Sequence, residues 1–145
     1  MQKVVLVEDS LNDVELALEA FAEEPFARDI IVLKDGQEAL AFLQDMGEEN
    51  SVAKGLALPI LMMLDLKLPK VDGLEVLRRV KSDPRLKQIP VVMLTSSQED
   101  SDLCRSYRLG ANAYVVKPLI FEEYLKALRS LSRFWTGTNQ LPILG

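Results

Sequence analysis

Five short apolar runs constrain this chain more than any other feature: Val4–Val7, Ile30–Leu33, Ile60–Leu64, Val91–Leu94 and Ala113–Val116. None alternates with polar residues, which is the pattern of strands covered on both faces. Segments of helical period separate them. Val14, Ala17, Leu18 and Phe21 fall at i, i+3, i+4, i+7, and Ala39, Phe42, Leu43 and Met46 repeat that spacing. Leu74, Leu77 and Val80 mark a third helix that must stop near Asp83-Pro84. A fourth, weakly patterned, runs from about Gln98 to Leu109 and ends at Gly110, a residue suited to the left-handed turn after a helix. A fifth runs from about Leu119 to Trp135. Strand alternating with helix five times predicts a doubly wound α/β domain, a five-stranded parallel sheet with right-handed crossovers and helices on both faces.

The chain has 145 residues, 48% hydrophobic and 27% charged, so roughly 68–70% of its unfolded surface can be buried and the fold needs neither disulfides nor a structural metal. We expect one domain over residues 1–135 and a C-terminal tail over 136–145. Gly47–Leu58 reads as a surface loop, long for a helix-to-strand connection and rich in polar or small residues.

Composition excludes several functions. A net charge of −5 gives no field for nucleic acid or anionic membrane. With no histidine, Ser/His/Asp triads, histidine-ligated zinc and a phosphohistidine on this chain are ruled out. The single cysteine, Cys104, can form no intrachain disulfide and is expected as a buried packing thiol; a cytoplasmic setting fits it. The four apolar residues after Met-Gln-Lys are too few for a signal peptide, and the longest apolar run, Leu56–Leu64, contains Pro59 and is half a membrane span.

In such sheets the functional crevice lies beyond the carboxyl ends of the strands. Strand one is followed by Glu8-Asp9, strand three by Asp65, strand four by Thr95 and strand five by Lys117-Pro118, so carboxylates, a hydroxyl and an ammonium converge on one edge. Carboxylates about 4 Å apart repel by roughly 4 kcal/mol per pair at an effective dielectric near 20, and therefore call for a cation. All-oxygen ligands suit Mg²⁺, which accepts phosphoryl oxygens as further ligands. One carboxylate can then attack phosphorus to give an aspartyl phosphate. Lys117 and the cation would offset the added charge while Thr95 donates a hydrogen bond.

These residues resemble the receiver domain of two-component response regulators, from Lys3 to Phe134. Val4-Val-Leu-Val-Glu-Asp-Ser10 resembles the family's first strand and acidic pair, and Leu64-Asp65-Leu-Lys-Leu-Pro69 with Gly73 its phosphoacceptor loop. Val91–Thr95 and Leu109–Pro118 resemble the last two strands with the switch hydroxyl, switch aromatic and lysine. The resemblance implies that Asp65 receives the phosphoryl group from a histidine kinase, and that Glu8, Asp9, Asp65 and the carbonyl of Lys67 hold Mg²⁺. It also implies that Thr95 and Lys117 bind the phosphoryl, that Tyr114 reports the switch, that the Lys117-Pro118 bond is cis, and that the strand order is 2-1-3-4-5.

Glu8 stands where many members carry aspartate, an exchange that lets this position reach the metal through water, and Leu68 replaces a common methionine. The long loop before strand three, Ser82-Asp-Pro and the aromatic-ended fifth helix with its tail look most like phytochrome-associated single-domain regulators, implying a phytochrome-type kinase as partner. Terminal output, a phosphorelay intermediate and a phosphate sink stay open, as does an inactive receiver kept for binding. An aspartate-nucleophile phosphohydrolase would want Asp-x-Asp after strand one and a cap insertion. A flavodoxin-like cofactor site would want a hydroxyl- and glycine-rich loop where this chain has acidic Asn12-Asp-Val-Glu15.

Two surfaces are expected to meet partners. Leu16 falls opposite the first helix's apolar stripe, beside the acidic pocket, where the family docks its kinase. On the fifth helix Phe121, Leu125, Leu128 and Trp135, extended by Tyr124, Ala127, Leu131 and Phe134, cover about half the circumference, more than one core stripe needs. The resemblance favours a homodimer that covers the excess with this helix and the tail's Leu141-Pro-Ile-Leu144.

Overall fold

Each apolar run forms a strand because alternate residues feed two separate cores. The structure, a computed structural model, describes residues 3–47 and 58–142. Its strands are β1 (Val4–Val7), β2 (Ile30–Leu33), β3 (Leu61–Leu64), β4 (Val91–Thr95) and β5 (Ala113–Val116). They make one sheet in the expected order β2-β1-β3-β4-β5, every neighbouring pair parallel. Between them run α1 (Leu11–Phe21), α2 (Gly36–Gly47), α3 (Gly73–Ser82) and α4 (Asp100–Arg108), with α5 (Phe121–Arg133) last.

On one face Val5, Val7, Met62, Leu64, Val91 and Met93 pack with Ala39 and Leu43 of α2 and Leu74, Leu77 and Val80 of α3. On the other, Val4, Leu6, Leu61, Met63, Val92 and Leu94 pack with Ala17, Ala20 and Phe21 of α1 and Tyr124, Leu125 and Leu128 of α5. Successive strand residues point to opposite faces, so a strand buried on both has no place for a polar residue.

Local signals fix the helix ends. Ser10 Oγ accepts from Asp13 N at 3.3 Å and Asp72 Oδ1 from Glu75 N at 3.0 Å, capping α1 and α3. After α4, Gly110 adopts φ +104°, the left-handed turn expected of it. Beyond α5 a π turn, Phe134–Thr138, carries regular backbone past Trp135. Most of Gly47–Leu58, along with Ile143 and Leu144 of the tail, lies outside the described residues.

Three local expectations are corrected, those for Leu16, Cys104 and the Lys117-Pro118 bond, while the excess apolar surface expected on α5 is present. Leu16 is half-buried against the α1/α5 core, while Leu18 is 39% exposed; small Ala20 lets α1 approach on a face rotated from the expected one. Cys104 is exposed, not buried, because α4 turns Asp102 and Ser106 inward and Cys104 lies on neither's side. On α5 only part of the wide apolar arc is covered: Tyr124, Leu125, Leu128 and Leu131 are buried and Trp135 packs against the core, but Phe121 and Phe134 remain about half exposed. The Lys117-Pro118 bond is trans, not cis. Trans is favoured by about 0.5–1 kcal/mol before proline.

Candidate functional site

Register brings the acidic residues together. Val7 pairs with both Leu33 and Leu64; one residue on, Glu8 N donates to Leu33 O at 3.0 Å and Asp65 N to Val7 O at 3.1 Å. Glu8 and Asp65 therefore leave the sheet side by side, with Asp9 next to them. Carboxylate oxygens of Glu8, Asp9 and Asp65 all lie within 4.8 Å of one another. Their exposure is graded: Glu8 is 3% exposed, Asp65 half-buried and Asp9 exposed.

Lys117 closes the cluster from the end of β5. Its side chain is 8% exposed, and its Nζ donates to Glu8 Oε1, to Asp13 Oδ2 at 2.8 Å and to Asp65 Oδ2 at 3.1 Å. An ammonium has three donors, and all three are used. Burial alone would depress Lys117, but the Asp13 and Glu8 carboxylates outweigh it and hold its pKa above the usual lysine value. Glu8 moves the other way. Burial, reinforced by neighbouring Asp65, pushes its pKa up to about 8, because one cation cannot neutralise the whole group.

The cluster fits a hard divalent cation. Among the described residues Glu8 Oε2 is a buried side-chain oxygen with no hydrogen-bond partner, a costly condition unless something else satisfies it. All the side-chain donors are carboxylate oxygens, with no sulfur or imidazole, which is the ligand chemistry of Mg²⁺ or Mn²⁺.

Beside Asp65 opens a cleft of about 410 Å³ lined by Asp65, Lys67, Thr95, Ser96, Ser97, Gln98 and Glu99. Thr95 is buried at the end of β4, and its Oγ1 accepts from Ser97 N at 3.2 Å. Tyr114, on β5, is half-buried and donates from its hydroxyl to Ser97 O at 3.1 Å; burial raises its pKa. Ser97 Oγ in turn donates to Asp102 Oδ2 of α4 at 2.6 Å. The hydroxyl at the pocket, the aromatic and α4 thus meet at one serine. Lys67 is exposed at the cleft mouth.

The loop after β3 is set by Gly73. A side chain there would place Cβ 2.0 Å from the Asp65 carbonyl oxygen, and Gly73 N donates to Leu66 O at 2.7 Å. The first residue of α3 thus fixes the backbone that carries Asp65.

The structure therefore unites Glu8, Asp9, Asp65, Thr95 and Lys117 as expected, with Lys67 and Tyr114 at the margins. Leu16, Phe134 and Trp135 lie apart from this pocket, on α1 and at the end of α5. Sequence reasoning missed Asp13 and the Ser97–Asp102 pair. Asp13 lies in the first turn of α1, three residues after the cap Ser10, and the sequence marked it only as one of the acidic residues of Asn12-Asp-Val-Glu15.

Fold and pocket are those of a doubly wound domain with an acidic, cation-compatible crevice, and comparison with known proteins gives its class. Residues 4–129 match the response regulator receiver domain family, and the chain belongs to it. It is 42% identical to response regulator Rcp1 of Synechocystis sp., over 96% of this chain and 92% of that protein. The Mn²⁺-bound crystal structure of Rcp1 superposes with a TM-score of 0.87 at 38% identity, covering 99% of this chain and 100% of that one. The phosphorylated cyanobacterial phytochrome response regulator RcpA gives 0.88 at 39% identity, covering 98% and 99%. Receiver domains of this kind are signalling proteins related to phytochrome response regulators, and phosphoryl acceptance on aspartate is typical of them. A divalent metal is bound in the Rcp1 structure, and an acidic cluster of Glu8, Asp9 and Asp65 is present here. Among the described residues no helix is long and apolar enough to cross a membrane.

Proposed function

We propose that Asp65 is the phosphoacceptor of a cytoplasmic response regulator served by a histidine kinase of the phytochrome type. An Asp65 carboxylate oxygen attacks the phosphorus of the kinase's phosphohistidine. A P–O bond forms as the P–N bond breaks, and the imidazole nitrogen keeps the electron pair. Thr95 donates a hydrogen bond to a phosphoryl oxygen, and the Lys117 ammonium opposes the charge that arrives. Glu8, Asp9, Asp65 and the Lys67 carbonyl would hold Mg²⁺, which when bound neutralises phosphoryl oxygens. Tyr114 carries the change to the α4–β5 surface through Ser97, and signalling proceeds by protein contacts rather than by turnover of an external substrate. The acyl phosphate ends when water attacks phosphorus and returns the Asp65 carboxylate and inorganic phosphate.

The observation that carries this reading is the Asp65 carboxylate at 3.1 Å from the buried Lys117 ammonium, beside two further carboxylates and open to a cleft. Mixing the protein with Mg²⁺ and acetyl phosphate should add one phosphoryl group by intact mass. No adduct, or one that survives Asp65→Asn, overturns the assignment.

A homodimer belongs to the same proposal. Leu119, Ile120 and Phe121 are 100%, 59% and 47% exposed at the start of α5 and Phe134 is 48% exposed after its end, apolar surface that a second copy would cover.

A further inference from the structure

Resting on the reading of Asp65 as phosphoacceptor, we propose that Asp13 is a positioning residue that keeps the Lys117 ammonium over the pocket while its other two partners are drawn into chemistry. Lys117 has three carboxylate partners, and they are not equivalent. Glu8 and Asp65 belong to the triplet whose oxygens converge within 4.8 Å. A cation would engage Glu8, and phosphorylation converts the Asp65 carboxylate into an acyl phosphate. Asp13 stands outside that triplet, so neither event consumes it.

Asp13 is also well placed to hold still. It sits in the first turn of α1, where its backbone N–H is fixed by Ser10 Oγ and the next residue's N donates to Ser10 O at 2.9 Å. The helix behind it is anchored by buried Ala17, Ala20 and Phe21. The base of Lys117 is fixed through its own N–H to Thr95 O. What is free to wander is the four-carbon stem between that fixed backbone and the ammonium, and the 2.8 Å contact with Asp13 restrains it. An ammonium already aimed at the phosphoryl position spares the search for that geometry during transfer.

The alternative has the opposite sign. If Asp13 competed with the phosphoryl group for Lys117, removing it would help. Asp13→Ala and Asp13→Asn separate the two, since the asparagine carbonyl can still accept from Lys117 while both variants remove the same charge. With saturating Mg²⁺, Asp13→Ala should slow acetyl-phosphate labelling by about tenfold, and Asp13→Asn should stay within about twofold of the wild type, because it keeps the hydrogen bond. A second readout needs no phosphorylation. The ¹⁵N resonance of the Lys117 ammonium, assigned by its loss in Lys117→Arg, should be visible in the wild type and Asp13→Asn and lost to solvent exchange in Asp13→Ala.

Faster labelling in both variants would overturn the proposal in favour of competition. Equal impairment in both would assign the effect to charge and overturn the positioning role. An unchanged Lys117 resonance in Asp13→Ala would overturn it as well. A wild type that takes no label sinks the phosphoacceptor reading instead, and Asp13's hold on Lys117 is still judged by the ammonium resonance.

Discussion

Gly73→Ala is the most exacting test of how the fold places Asp65. The added Cβ would lie 2.0 Å from the Asp65 carbonyl oxygen and 2.8 and 2.9 Å from Leu66 Cα and O, where real contacts essentially never fall below 3.0 Å. The atoms it meets are backbone, so no rotamer can relieve the overlap, and the Asp65-Leu66 segment must move by about 1 Å. Overpacking of this kind costs about 1–3 kcal/mol. At about 4 °C per kcal/mol for a domain near this size, Tm should fall by roughly 4–12 °C. The functional cost is larger, since a 1 Å misplacement of a reacting group can lose about 100-fold in rate. Gly36→Ala supplies a matched control. Its Cβ would lie 1.8 Å from the Val71 carbonyl oxygen, an equal overlap on the far side of the same loop. Thermal unfolding should show both variants destabilised, and acetyl-phosphate labelling well below both transitions should fail only in Gly73→Ala. Equal loss of labelling in both, or normal labelling in Gly73→Ala, would refute the argument from position.

Three further outcomes are expected. Glu8 has its folded pKa raised from 4.5 to about 8, so its contribution to stability is complete below pH 4.5 and is lost as pH rises through 8; Lys117, raised above 10.5, does not titrate in that window. Tm of the metal-free protein should therefore fall between pH 5 and pH 8, a fall that Mg²⁺ or Glu8→Gln flattens, and an equally steep fall in Glu8→Gln would exclude this group as the cause. Lys67 is exposed and lines the cleft beside Asp65; if it shields an acyl phosphate there, Lys67→Asn should speed autodephosphorylation severalfold with little change in Mg²⁺ affinity, and unchanged decay would remove Lys67 as a shield. Phe121→Glu should shift a dimer to monomer in light scattering at micromolar concentration, whereas a monomeric wild type would end the dimer proposal.

The strands and the pocket were legible in the sequence for the same reason. Burial on both faces leaves no polar residue inside a strand, so the first polar residue after each run marks where the chain emerges, and parallel order brings those exits to one edge. Glu8, Asp65, Thr95 and Lys117 all sit at such exits. Asp13 does not: it is on a helix, where its relation to Lys117 depends on the helix's rotation. That rotation was the least legible quantity. On α1 both Leu16 and Leu18 are apolar, and the choice between two overlapping stripes rests on Ala20, whose small side chain admits a close approach without announcing itself as core. On α4 the inward face is polar, with Asp102 receiving Ser97 Oγ and Ser106 Oγ donating to Asp102 O. An apolar-period reading had nothing to follow there and placed Cys104 inside.

The pocket carries more negative charge than its one ammonium neutralises. Glu8, Asp13 and Asp65 contact one ammonium while Asp9 adjoins Glu8 and Asp65, and the imbalance shows in the raised pKa of Glu8 and in its orphaned Oε2. A divalent cation would relieve both, displacing the Glu8 proton, so its affinity should rise with pH. With that cation in place the added charge of a phosphoryl group meets Lys117 and Thr95 rather than bare carboxylates. Neither step requires the sheet to move, because β1, β3 and the Gly73 contact already fix the backbone. What can move is the network above it, where Thr95, Tyr114 and Asp102 share Ser97. If Thr95 turns its hydroxyl to the phosphoryl, the Ser97 N–H loses its acceptor and the Tyr114 and Asp102 contacts must readjust together. On the proposed reading, a local charge change at Asp65 would thereby reach α4 and β5, a surface that a partner could read.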